Sequence, residues 1–247
     1  MSRVDGSFLA VGWDQSLNHA AIVALDCGAG LAEKVAGFYY ATDTAGIAAI
    51  GKASGHGFRV PLECVDKKRT PDREEREVLR LLWIRAFAKS ILFRLGTLAE
   101  GRPVYVALEN YATDARQGAH LIGEAGAAVR FACLDRGFAL RLHGPESVKM
   151  FATDRGNALK REIAARLLAD GVDYSRFGKD PEKDPSGDLA DAHVLARMAR
   201  DEVLVRAGEL ALRDLEPGPR RVFIRTTKAH PLGLLDRPWI FKPGGSL

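Results

Sequence analysis

Apolar positions along this chain change period several times, and the changes mark its elements. FLAVGWD (8–14) is a short apolar run, followed after a Gln-Ser-Leu-Asn turn by HAAIVALD and, past Cys27-Gly-Ala-Gly, by VAGFYYA. Three such runs split by turn residues predict an antiparallel meander. Residues 43–69 are Gly-rich and polar without a clean period, which predicts an irregular insertion. From Thr70-Pro71 the spacing becomes helical: Val78, Leu81, Leu82, Arg85, Ile91, Leu92 and Leu95 recur on one side up to about Leu98, with Thr70 as N-cap and Pro71 in the first turn. VYVALE (104–109) predicts a strand, 114–136 a helix rich in small residues, ALRLHG a strand and 155–170 a helix. A last core helix is expected from Gly187 to about Val203.

Three strands, a helix, a strand, a helix, a strand and further helices predict an α/β domain, a mixed sheet covered on both faces. It is expected to occupy residues 1–206. The segment 207–247 differs, with Pro217, Pro219, Pro231, Pro238 and Pro243 and one expected strand at RVFIR; it should wrap the domain or reach a partner.

Composition narrows the class. The 247 residues are 47% hydrophobic, enough for a sizeable core. No run approaches the ~18 uncharged apolar residues of a membrane span, and MSRVDG does not resemble a secretion signal, so a cytoplasmic protein without a membrane partner is the expectation. Cys27, Cys64 and Cys133 form no C-x-x-C pair, which disfavours a disulfide framework or zinc knuckle. Net charge is +4, but basic residues concentrate in two places. Between Lys67 and Arg94 nine basic residues face four acidic ones, and between Arg213 and Lys242 seven face three. Both a polyanion ligand and solvated helix faces give such counts.

Four carboxylates stand in awkward places. By the two-residue period Phe8, Ala10, Gly12 and Asp14 share a face, so Asp14 ends a strand bound for the core; Tyr105, Ala107 and Glu109 do the same in VYVALE. If the two strands are adjacent and parallel, these acids lie about 5 Å apart, beyond the carboxyl ends where α/β sheets present ligands. Either acid alone is also an ordinary strand-ending residue. In GDLADAHVLARMA, Asp188, Asp191, Leu195 and Met198 fall on one stripe, the apolar end of which must face the sheet. The helix dipole accounts for one acid in a first turn, and less well for two on the buried stripe. Clustered, partly desolvated carboxylates repel unless a cation neutralises them, and an oxygen-only donor set suits Mg2+ or Mn2+. Two such ions about 4 Å apart activate water and stabilise the leaving oxygen in phosphodiester hydrolysis.

At this point the motifs resemble a family, the RuvC-type Holliday junction resolvases of the ribonuclease-H-like nuclease superfamily. VGWDQSLNHAAIVALD resembles its first hairpin, with Asp14 as the first catalytic acid. VALENY resembles the strand carrying its catalytic Glu, here Glu109. GEAGAAV and PESVKMFATDRGNALK resemble its helix and Pro-x-x-Val-Lys segment, placing Lys149 and Lys160 at its two functional lysines. DLADAHVLA resembles its closing motif, with Asp188 and Asp191. The resemblance spans about residues 8–203 and implies a ribonuclease-H-like five-stranded mixed sheet. It also implies a homodimer with two Mg2+ per site, Mn2+ being a substitute, that nicks opposed strands of four-way DNA junctions. The insertion and basic tail look like those of divergent phage or mobile-element members.

A Lys ammonium near the scissile phosphate offsets transition-state charge or fixes the backbone, which gives Lys149, near a helix start, and Lys160, one turn into a helix from Asn157, their expected roles. Tyr111 is a candidate to stack on an unpaired base, or else a core or rim aromatic. Arg155 is a candidate phosphate contact; the neighbouring Asp154 would repel phosphate unless Arg155 pairs with it. His193 lies about 200° around the helix from Asp191, which favours packing over catalysis. Trp13 points to the opposite face from Asp14, into the core; His19 and His143 receive no role. Three functions compete: a junction-resolving endonuclease, a nuclease of flaps or Y-junctions, and a non-catalytic DNA-binding scaffold. Four intact acids disfavour the scaffold, since a module that only grips phosphate has no use for them.

Overall fold

The structure is a computed structural model that describes residues 6–28, 33–43, 56–110, 119–226 and 231–240. Its centre is a mixed sheet whose strands lie in the order 57–59, 33–42, 20–27, 8–15, 104–109 and 139–143. β1 (Phe8–Gln15), β2 (Ala20–Cys27) and β3 (Glu33–Thr42) form the expected antiparallel meander. β5 (Val104–Glu109) then lies parallel to β1, and β6 (Ala139–His143) parallel to β5. Parallel neighbours need crossover connections, supplied here by α1 (Arg73–Ala99) before β5 and α2 (Ala119–Asp135) before β6. The remaining helices are α3 (Pro145–Thr153), α4 (Lys160–Ala169), α5 (Pro185–Ala207) and α6 (Pro217–Ile224). The expected α/β arrangement, a mixed sheet with helices on both faces, is thus present, with six strands among the described residues instead of five.

The extra strand corrects the reading of 43–69 as irregular throughout. β4 (Gly57–Arg59) pairs parallel with β3 and covers its outer edge, and a short 3-10 turn follows at Leu62–Cys64. Three residues are too few for a period to show. Residues 44–55 lie outside the described residues.

Strand alternation divides the core in two. Leu9, Val11 and Trp13 of β1 face α1 and α2, packing with Ile91, Leu92 and Leu95. Phe8 and Ala10 face the other way, onto α5, with Leu195 and Met198. Each of these buried branched or aromatic side chains contributes about 1.5–3 kcal/mol when removed from water. The tightest approach is at Gly12, where an added Cβ would come within 1.8 Å of the Ala192 carbonyl oxygen and 2.4 Å of the Ala196 nitrogen. Only a residue without a side chain lets α5 lie this close to β1.

Several boundaries differ from the sequence reading. α1 is capped by Asp72, whose side chain accepts from the Glu75 N–H at 2.7 Å, and not by Thr70. A carboxylate there also meets the positive end of the helix dipole. Helix α2 is described from Ala119, and residues 111–118 fall outside the described set. α4 begins at Lys160, because Asp154 takes a left-handed conformation (φ 64°) that ends α3 and leaves 155–159 as a linker. RVFIR is not a strand: Pro217 starts α6, and Val222 and Phe223 are buried, with Phe223 edge-on to Phe151. Beyond it the chain crosses to β6. Arg141 donates to the Arg237 and Pro238 carbonyls at 2.9 Å each, and the Ile240 N–H donates to the Leu140 carbonyl. The C-terminal segment therefore wraps the domain as far as the described residues extend.

Candidate active site

The last paired residues of β1 and β5 are Trp13 and Leu108, so Asp14 and Glu109 stand side by side where the two strands end. Their side chains share a hydrogen bond. Such a bond between two carboxyl groups requires that the pair share a proton, and Glu109 is the group held furthest from ionisation. Burial pushes that group well above its ordinary value, and the Asp14 charge raises it further.

α5 brings the other two acids. Asp188 and Asp191 occupy its first two turns on the stripe that descends to Gly12, so the close helix–strand contact carries both carboxylates over the end of β1. Lys160, the first residue of α4, reaches into the group. Its Nζ donates to Asp188 Oδ1, and lies 3.3 Å from Asp191 Oδ2 and 3.9 Å from Asp14 Oδ2. The start of α4 is held by Glu162, which accepts from the Leu159 N–H at 2.8 Å and pairs with Arg155.

The electrostatics are those of an under-neutralised cluster. Burial raises Asp14, an effect the Lys160 ammonium opposes and Asp188 reinforces. Burial likewise pushes Asp191 up to about 7, despite Lys160. Burial alone would lower Lys160; the Asp14, Asp188 and Asp191 charges outweigh it and keep the ammonium protonated. One positive charge serves three neighbouring acids, and Asp191 Oδ1 is buried with no hydrogen-bond partner.

These features fit a divalent cation. The donors are oxygen only, one of them is an orphan, and the raised carboxyl groups would gain from added positive charge. Among the described residues no three acids or histidines already converge as a finished cation cage. Lys160 stands between them instead, so Asp14, Glu109, Asp188 and Asp191 would hold a cation as the ammonium gives up its contacts.

One neighbour was missed by the sequence reading. His19 closes the β1–β2 turn, its backbone tied to Ser16 by an N–H···Oγ bond of 3.1 Å. The ring lies with Nε2 3.3 Å from Asp43 Oδ1 and Nδ1 3.8 Å from Asp188 Oδ2. The available signal was the turn: a tight hairpin immediately after Asp14 returns the chain beside it.

The other candidates are distributed differently. Lys149 is the fifth residue of α3, half-buried, and makes no ion pair with the four acids among the described residues; of the two lysines the structure brings Lys160 to the acids. Arg155 is exposed and pairs with Glu162, while Asp154 pairs with Arg221 from α6, so Asp154 is neutralised by Arg221 and not by Arg155. Tyr111 lies outside the described residues. His193 is fully buried, 3.0 Å from the Tyr174 hydroxyl and 3.3 Å from Glu33. It packs away from the acids, and Trp13 is a core residue.

The sequence matches no protein-family model and no curated protein. Among solved structures the fold is similar to Thermus thermophilus RuvC, at 20% identity and a TM-score of 0.49, covering 81% of this chain and 97% of that one. It is also similar to T. thermophilus RuvC in complex with a Holliday junction substrate, at 19% identity and a TM-score of 0.48, covering 78% and 94%.

Proposed function

We propose that this protein is a Mg2+-dependent endonuclease of branched DNA that resolves four-way junctions by paired nicks. The observation that carries the reading is the group at the ends of β1 and β5, where Asp14, Glu109, Asp188 and Asp191 gather around the single ammonium of Lys160. The motif order that resembles the RuvC-type resolvases points to the same substrate. Bound at these carboxylates, divalent ions supply an activated water and stabilise the leaving oxygen of the phosphodiester. The chain's own groups do the rest. Lys160 can exchange its carboxylate contacts for a phosphate oxygen, offsetting charge that develops in the transition state. Arg155, on the exposed linker ahead of α4, would exchange its Glu162 pair for a contact to the DNA backbone.

Paired nicking needs two sites, hence a homodimer. We propose that the second copy docks on the apolar cleft between α1 and α2, which has a volume of about 630 Å3. Val78, Leu82 and Phe131 are exposed there, while α1 contributes Arg85 and Lys89 and α2 contributes Glu124. Two-fold association that sets α1 of one copy on α2 of the other matches apolar surface to apolar surface and opposite charges to each other.

The test is incubation of a labelled four-way junction, a flap, a matched duplex and a single strand with the protein in Mg2+ or EDTA. Paired symmetric nicks in the junction, absent in EDTA, are expected. Preferential flap cutting would overturn the resolvase assignment, and cleavage unaffected by EDTA would overturn the metal dependence.

A further inference from the structure

A second cavity opens between α4, the 172–181 segment and the start of α5, with a volume of about 200 Å3. Its walls are small and apolar: Ala164 and Ala165 from α4, Val172, and Ala190 from α5. Ser186 also lines it and is 3% exposed, with its Oγ itself buried out of reach of the cavity. At the mouth stand Arg161 and Lys179, both exposed and neither ion-paired among the described residues.

Size, chemistry and position limit the occupant. The volume lies below the ~300–1,000 Å3 of ordinary small-molecule sites. It suits a single planar heterocycle with apolar faces and polar edges. Two free cations at the mouth suit phosphates on either side of that ring. Both walls also belong to the helices that build the acid cluster. Lys160 precedes Arg161 directly, and Ala164 lies one helical turn, about 5.4 Å, further along α4. A strand with a phosphate at the acids therefore has a neighbouring nucleotide within reach of this mouth.

We infer that the cavity between α4 and α5 receives an unpaired nucleobase of the DNA strand held at the acid cluster, with Arg161 and Lys179 contacting flanking phosphates. This rests on the proposed nuclease function and extends it to how branches are recognised. Removing a base from a stack costs a few kcal/mol in intact duplex and least where it is already unpaired, so a base pocket beside the cleavage site favours branch points over plain duplex.

The test uses a four-way junction and a flap carrying 2-aminopurine as an unpaired nucleotide beside the branch, titrated with the protein in EDTA. Anisotropy of a remote label reports DNA binding, and 2-aminopurine emission reports the base. Binding by the wild type is expected to change the emission as the base leaves its neighbours. Ala165→Phe, which fills the mouth from an exposed helix position, should remove that change. Excess dAMP should not abolish the emission change, whereas its abolition would assign the pocket to free nucleotides and overturn the strand-borne base. DNA binding with no emission change, or with the same change in Ala165→Phe, would overturn the pocket and leave the nuclease reading standing. Absence of DNA binding by the wild type would overturn both.

Discussion

Gly12 of β1 and Ala192 of α5 approach so closely that a Cβ on the glycine would lie 1.8 Å from the alanine's carbonyl oxygen. This contact sets the height of α5 above the sheet and, with it, the positions of Asp188 and Asp191 over Asp14. The obstacle is backbone, which cannot swing aside. Gly12→Ala should therefore cost about 3 kcal/mol or more, the upper end of overpacking effects. For a chain of this size that lowers the melting temperature by roughly 6–12 °C, read by thermal unfolding. Any variant that remains folded should bind divalent ions more weakly.

Lys160 competes with a cation for the same carboxylates. Lys160→Met should lower stability in EDTA, because buried acids lose their partner, and should gain more on Mg2+ addition than the wild type does. Thermal melts with and without Mg2+ check this. Nicking should fall about a hundredfold if the ammonium also offsets transition-state charge.

The elements that place these residues were legible in the sequence for a simple reason. Asp14 and Glu109 each end a strand whose period assigns them a face, and Asp188 and Asp191 lie on the stripe that must meet the sheet. What was not legible depends on contacts distant in sequence. His19 meets Asp188 only once α5 has packed on the sheet, and the place of Lys149 follows from the direction of α3. RVFIR has the alternation of a strand, yet Pro217 starts a helix and Phe151 offers Phe223 a pocket. Asp154 finds its partner, Arg221, 67 residues away in that same helix.

His143 should make the fold acid-sensitive. It sits in register beside Glu109, is buried with Nε2 unpartnered, and is pushed down to about 3 by burial, with Arg141 and Arg237 adding to the effect. The unfolded chain takes a proton near pH 6.5 that the folded one refuses until near pH 3. Stability is thus fully present above about pH 6.5 and falls by up to about 1.4 kcal/mol per pH unit below it. His143→Leu should flatten that slope in denaturant titrations between pH 6.5 and 4.

Association should be separable from folding. Phe131 is 66% exposed, so Phe131→Glu should leave the melting temperature of the isolated chain within a degree or two. If the α1–α2 cleft is where two copies meet, this variant sediments as a monomer under conditions in which the wild type is a dimer, and it nicks only one strand per encounter. Dimeric sedimentation of Phe131→Glu would place the interface elsewhere.

The most direct test of the acid cluster is the nicking of a labelled four-way junction in Mg2+ by the wild type and by Asp14→Asn, with binding of the same junction measured in EDTA. The expected result is nicking by the wild type, at least a hundredfold loss in the variant, and junction binding retained by both. Equal nicking by the two proteins, or binding by the wild type with no nicking in any divalent ion, would contradict a catalytic centre at the ends of β1 and β5.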